Sequence, residues 1–288
     1  MKMSQFCIIG QGGGMITAYH TGVVSALKKR FGFKKLHRIV ASSGAAAVYS
    51  YLVSGQENLI QPIWEDLVKS GKFVTPWKFP IGKSVMNINF LVDEMIQKRY
   101  PLNLPALKNN LTELEIGVTN AETGASIFFS KDNQINFYEL LRASCAVPYF
   151  SEGKVCFGGR CYYDGTIGSV SGLERVFDED NILVVLTRPS ISLPKMFFFR
   201  KILRWLLIRN ETIALQEAIW SMPARYEQIP SFIEEIRQKK NIAVIQPKKN
   251  LPIFRIDTRF SCLSQTIRQG YDDTMNHRGL EDFFRKIS

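Results

Sequence analysis

The amino-acid sequence predicts an α/β protein with a mainly parallel central sheet flanked by helices. Three observations predict it. The early elements alternate strand, helix, strand, helix, the order that gives a parallel sheet covered by helices. Both early strands run into turns of tiny residues that open helices. The chain has 288 residues, 45% of them hydrophobic, enough for one large α/β domain with a sizeable core.

In chain order, the apolar strand Gln5–Ile9 meets the triplet Gly12-Gly13-Gly14, and helical spacing follows over Ala18–Arg30. A second strand, His37–Val40, leads through Ala41-Ser42-Ser43-Gly44-Ala45 into an apolar helix, Ser43–Val53. Helical patterns cover Asn58–Lys69 and Ile88–Lys98, on either side of a proline- and glycine-rich loop at Trp77–Gly82. Strands are expected at Glu113–Val118 and Ser126–Ser130, a helix at Phe137–Ser144, and strands at Lys154–Phe157 and Arg160–Tyr163. The last of these stops at the turn signal Asp164-Gly165-Thr166. Strands Asn181–Thr187 and Ile242–Gln246 bracket two helical patterns, Met196–Glu217 and Pro223–Lys239, and a helix over Cys262–Asp272 follows. No repeat, low-complexity segment or clear domain boundary interrupts the pattern. Residues 1–288 therefore read as a single domain, with 190–219 a possible lid or membrane-facing helical insert.

The formal charge of +11 favours anionic partners, such as a membrane surface or an acidic ligand. Nucleic acid is not expected, because neither a recognised module nor a basic–aromatic repeat accompanies the charge. The five cysteines, Cys7, Cys145, Cys156, Cys161 and Cys262, form no CxxC pair and read as free thiols in a reducing, cytoplasmic setting. No secretory signal opens the chain, and no run reaches the ~18 uninterrupted apolar residues of a spanning helix.

The chemistry concentrates in three places. A strand, a glycine turn and a helix point bare backbone N–H groups at one spot, which is an anion cradle; a plain tight turn is the competing reading of Gly12, Gly13 and Gly14. Nucleotide fingerprints fail there. No Gly-Lys-Ser/Thr follows, and Met15 or Thr17 occupies the third place of a GxGxxG. The second place is Ser43, between an apolar strand and an apolar helix, the layout of a nucleophile elbow. A shifted register would make Ser42 the nucleophile with Gly44 closing the motif, and Ser42 as a simple helix cap is the bland alternative. A serine hydroxyl needs a base. The only histidines are His20, His37 and His277, none at a strand end suited to a triad. A carboxylate is the better candidate, and Asp164 at a strand end before Gly165 is the best of them, against the competing reading of an Asp-Gly hairpin turn.

Together these pieces resemble the patatin-like phospholipase family. Gly12-Gly13-Gly14 through His20-Thr21-Gly22-Val23-Val24 is similar to its glycine loop and first helix, and Arg142-Ala143-Ser144-Cys145-Ala146-Val147-Pro148 to its Arg-Ala-Ser segment. Leu183–Pro189 and the tail from Arg255 to Gly270 are similar to a bacterial-type subgroup. The resemblance implies a three-layer α/β/α fold and a serine acyl hydrolase of lipids, of phospholipase A or lysophospholipase type. It implies Ser43 as nucleophile, Asp164 as base, Gly12, Gly13 and Gly14 as oxyanion hole, and no metal or organic cofactor. Three places depart from the pattern, each adding bulk near the site: Ile16-Thr17 stand for Arg-Gly, Ala41 and Ala45 for the elbow glycines, and Thr166 for glycine or alanine. Those departures motivate a second reading, a catalytically impaired lipid-binding or regulatory protein on the same scaffold.

One further stretch bears on partners. Lys195 to Arg209 carries five basic and no acidic residues among Phe197, Phe198, Phe199, Trp205 and aliphatic neighbours. Such a composition suits an interfacial helix on anionic lipid; a buried helix with snorkelling cations is the alternative.

Overall fold

The computed structural model describes residues 5–77, 84–189 and 208–287. Residues 195–207 of the basic run and 190–207 of the possible insert lie outside those residues.

Eight strands form one mixed sheet. They are β1 (Phe6–Gly10), β2 (Leu36–Ser42), β3 (Glu113–Asn120), β4 (Ser126–Ser130), β5 (Val155–Phe157), β6 (Arg160–Asp164), β7 (Asn181–Val185) and β8 (Asn241–Ile245). Strands β8, β7, β1, β2 and β3 lie side by side and parallel, while β4 and β6 pair antiparallel with β3, and β5 with β6. The parallel strands are buried on both faces. Along β1, Phe6 and Ile8 enter one apolar cluster while Cys7 and Ile9 enter another, as the period of two dictates.

Helices cover both faces. On one side lie α1 (Ala18–Arg30), α2 (Gly44–Val53), α3 (Ile60–Ser70), α8 (Phe260–Met275) and α9 (Gly279–Ile287), contributing Tyr19, Val23, Tyr49, Trp64, Leu263 and Phe283 to the larger cluster. The other face is covered by α7 (Ile213–Arg237), whose Ile229, Ile233 and Ile236 recur at helical spacing and pack on Ile9, Ile182 and Val184. Each such side chain is worth about 1.5–3 kcal/mol of burial. Short helices α4 (Leu104–Asn109), α5 (Phe137–Cys145) and α6 (Gly165–Gly168) complete the set, and Phe90–Arg99 is wound as a π-helix.

Two expectations are corrected, and one helix is added. The break expected before Pro223 does not occur: α7 carries both Pro223 and Pro230 inside one helix. Side chains occupy carbonyls around the first proline, with Ser221 Oγ and Arg225 Nη2 donating to Ala218 O. Cys156 and Cys161 are not free thiols but a disulfide, because the β5–β6 pairing sets them directly opposite each other. Helix α9 escapes the sequence reading although Leu280, Phe283 and Ile287 mark one buried face of it. Among the described residues no helix is long and apolar enough to cross a membrane.

Candidate active site

The site grows out of one feature of register. Strand β2 pairs with β3 as far as Ser42 opposite Gly117, and β6 takes over at the next position, Asp164 opposite Val118. Strand β4 occupies the other edge of β3, so β2 and β6 meet end to end along a single edge. Their tips are Ser42-Ser43 and Asp164. Residues more than a hundred apart in sequence are thereby brought into contact by backbone pairing alone. Gly165 is needed at this junction, since a Cβ there would lie 2.8 Å from Ser42 Oγ and collide with the Gly117 carbonyl.

Ser43 sits between β2 and α2 with φ 58° and ψ −141°. Among the described residues only Ser43 and Tyr149 are non-glycine positions with positive φ. Such a conformation costs about 1–3 kcal/mol and persists where its surroundings fix it. Here the Ser43 amide donates to Ser144 Oγ at 2.8 Å, and Ser144 Oγ donates to the Gly117 carbonyl at 2.7 Å. One hydroxyl from α5 thus ties the turn to β3. The elbow forms with Ala41 and Ala45 in the flanking places, both buried. Ser42 is the last residue of β2, and its hydroxyl lies toward Gly117 and Gly165.

Asp164 is 1% exposed. Its Oδ1 accepts from the Thr166 amide at 2.8 Å and from Thr166 Oγ1 at 2.6 Å, and the Ser43 side chain lies near enough to its carboxyl to pull its pKa down. Burial raises its pKa above the usual carboxylate range; Ser43, the bonds from Thr166 and the charge of Arg255 pull the other way, and burial prevails. The Cys145 thiol also reaches Ser43, and burial pushes its pKa up, so it stays protonated and neutral.

The glycine loop faces this pair. A Cβ on Gly12 would stand 2.6 Å from Thr166 Cγ2, 2.7 Å from Ser43 Cβ and 2.9 Å from the Ser42 carbonyl. Only bare backbone fits there. Gly14 has φ 64° and lies against the Arg255 carbonyl, which accepts from the Met15 amide at 3.0 Å. The Gln11 amide is engaged with Val185 O, yet none of the amides of Gly12, Gly13 and Gly14 has a backbone acceptor among the described residues. They precede a short 3₁₀ turn (Gly14–Thr17) and α1, so the positive end of a helix backs the loop.

The loop is braced from beneath. Gln11 Oε1 accepts from the Thr187 amide and hydroxyl, both at 3.0 Å. His20 is fully buried. Its Nε2 meets the Gln11 carbonyl at 2.9 Å and must carry the proton, so Nδ1 accepts from Tyr49 Oη at 3.1 Å. Burial pushes its pKa down to about 4, and the ring is neutral. His37 and His277 bond backbone carbonyls of Phe6 and Val244 instead.

The structure therefore brings together all five residues expected at the site. It adds four the sequence reading left without a role: Thr166, Ser144, His20 and Gln11. Ser144 carried a signal, through its Arg-Ala-Ser setting. Thr166 was noticed only as excess bulk. His20 was weighed as a base, not as a brace, and lies in the stretch that resembles the family's glycine loop and first helix; nothing in the sequence marked Gln11.

The profile of the patatin-like phospholipase family matches residues 10–177, a span that holds the glycine loop, the elbow and Asp164. The chain belongs to the patatin-like phospholipase family. Membership carries lipid ester hydrolysis, and hence lipid substrates, in general. Among curated proteins it is similar to the "Uncharacterized protein YjjU" of Escherichia coli (strain K12), 22% identical over 271 residues that make up 92% of this chain and 75% of the relative. Among solved structures it is similar to VipD from Legionella pneumophila, with TM-score 0.50 and 14% identity over 97% of this chain and 67% of that one, a likeness of fold.

Proposed function

We propose that this protein is a serine acyl hydrolase of phospholipid or lysophospholipid esters, working through Ser43 and Asp164 as a dyad. The observation that carries the reading is the register that sets the strained Ser43 beside the buried Asp164, facing amides left without backbone acceptors. Asp164 accepts the Ser43 proton as the hydroxyl attacks the ester carbonyl. A base in a dry site, with a raised pKa, is a stronger acceptor than a solvated carboxylate. The amides of Gly12, Gly13 and Gly14 receive the oxyanion, at about 3 kcal/mol per donor. Asp164 then gives its proton to the leaving alcohol, and later activates the water that releases the acyl group. The proton taken from that water passes to Ser43 Oγ as the acyl–oxygen bond breaks, so Asp164 is ionised again after each half-reaction and Ser43 is restored after the second. His20 is a brace in this scheme rather than a base, since it is buried, neutral and bonded through both nitrogens.

The impaired-scaffold reading has less support. Its motive was bulk near the site, but Ala41 and Ala45 accompany a formed elbow, and Thr166 donates to the carboxylate instead of crowding it. The proposal takes residues 1–288 as one catalytic unit. It includes peripheral docking on anionic membrane through the Lys195–Arg209 run, which liposome co-sedimentation of a protein with Phe198, Phe199 and Trp205 changed to serine would test.

Hydrolysis of a short-chain p-nitrophenyl ester by Ser43→Ala and Asp164→Asn tests the dyad. Both should lose nearly all activity while remaining folded. Full activity in either would refute it.

A further inference from the structure

A cavity of about 970 Å³ does not contain Ser43 or Asp164 in its wall. It opens beside them at the carboxyl edge of the sheet, between the ends of β7 and β8, helix α7 and the loop before α8. Gln11, Ile16 and Thr187 belong both to its wall and to the surroundings of the glycine loop. Strands β1 and β7 are neighbours here while the chain leaves β1 toward β2 on the other side. Crevices at such a switch of strand order are where open α/β sheets take ligands.

The lining of this cleft is peculiar in its charges. Arg188 and Arg255 both line it, close enough to repel each other. Both are held by one tyrosine: the Arg188 guanidinium lies 4.2 Å from the centre of the Tyr226 ring, and Arg255 Nη2 donates to Tyr226 Oη at 3.2 Å. Neither forms an ion pair with a described carboxylate, whereas the buried Arg38 and Lys131 do; Arg38 binds Glu115 and Glu179, and Lys131 binds Asp132. The acids nearby are accounted for. Asp257 is taken by Arg259 at 2.5 Å, and Glu234 on α7 by Arg237 at 2.7 Å. Glu227 lines the same cleft without an ion pair among the described residues, but Lys249 lines it too. Burial and the charge of Arg255 push the Arg188 pKa down to about 10, so the Arg188 guanidinium remains charged at neutral pH.

Two part-desolvated guanidinium groups, pre-oriented by an aromatic ring and mutually repelling, form a site that an anion completes. Planar forks of N–H donors match the tetrahedral oxyanion of phosphate. We propose that Arg188 and Arg255 bind the phosphate group of the substrate, a phospholipid whose acyl ester reaches Ser43 past the glycine loop. The proposal rests on the serine-hydrolase reading for its orientation. It restricts the substrate class to phosphate-bearing lipids over neutral glycerides. Arg255 carries both tasks at once, since its backbone carbonyl fixes Met15 at the loop and its charge is felt by Asp164.

The test is binding, without turnover. Full-length Ser43→Ala protein is titrated calorimetrically with monomeric dihexanoyl phosphatidate, dihexanoylglycerol and inorganic phosphate. Phosphatidate should bind at least roughly tenfold more tightly than the neutral lipid, and Arg188→Gln should erase that preference. Arg188→Lys should restore part of it, as a point charge without the fork. Arg255→Gln is the second variant, with thermal melts showing which variants are folded. Inorganic phosphate binding as tightly as phosphatidate, and equally sensitive to Arg188→Gln, would keep the phosphate site but assign it to the free anion. Phosphatidate affinity unchanged in both folded glutamine variants would overturn the proposal. Because Ser43 is absent from this protein, the outcome is independent of the dyad; loss of the dyad would show instead as ester hydrolysis surviving Ser43→Ala.

Discussion

Replacing Thr166 with valine isolates one hydrogen bond to the proposed base. Valine keeps the branched shape and the methyl that packs on Gly12, and it keeps the backbone amide that donates to Asp164. Only the 2.6 Å hydroxyl bond to Oδ1 is lost. A hydrogen bond to a charged group contributes about 1.5–3 kcal/mol. It favours the ionised carboxylate, so its loss raises a pKa that burial has already raised. At about 1.4 kcal/mol per unit, the shift is roughly 1–2 units upward. The base must be ionised to take the serine proton, so the acid limb of kcat/KM should move to higher pH by that amount. The assay is hydrolysis of a water-soluble p-nitrophenyl ester from about pH 4 to about pH 9. Thr166→Ser, which retains the hydroxyl, should leave the limb near its wild-type position. An acid limb that does not move in Thr166→Val, or that moves to lower pH, would refute the assignment of Asp164 as base.

Three other outcomes follow from the same geometry. Asp164→Asn should raise the melting temperature at neutral pH while abolishing activity, because the folded-state pKa of Asp164 is raised; stability is lost as pH climbs from the ordinary 3.8 through the folded value, and asparagine escapes that loss. Each 1 kcal/mol gained is roughly 2–4 °C in a chain of this size, and the two melts should converge below about pH 4. Gly12→Ala drives a methyl into Ser43 Cβ and the Ser42 carbonyl, so kcat should fall by roughly 10²–10³ with the protein still folded by circular dichroism. Ser144→Ala leaves the Ser43 amide and the Gly117 carbonyl without their partner; unfolding by urea should show a cost of about 1–3 kcal/mol, and kcat should drop more than KM changes.

Local patterns carried the fold far. Ser126–Ser130 and Ala18–Arg30 are bounded in the structure as their apolar spacing predicts, because both depend on burial of one or two faces and little else. Proline rules failed at Pro223, where tertiary hydrogen bonds from Arg225 to the Ile167 and Gly168 carbonyls outweighed the local preference for a break. The cysteine reading failed at Cys156 and Cys161 because a hairpin pairing, invisible to a count of CxxC spacings, sets them opposite. At the site, Ser43, Asp164 and the glycine triplet were legible since strained turns, strand ends and close backbone approaches demand particular small or polar residues. The supporting bonds were not. His20 meets Tyr49 and the Gln11 carbonyl only once α1 and α2 pack together, and a lone histidine in a helical pattern gives no hint of that.

The most direct measurement is labelling with a fluorophosphonate probe, followed by mass-spectrometric mapping of the modified peptide. The hydroxyl of residue 43 should carry the probe in wild-type protein, and Asp164→Asn should suppress the adduct. A tag found on residue 42, or equal labelling with and without the carboxylate, would contradict the mechanism at its root.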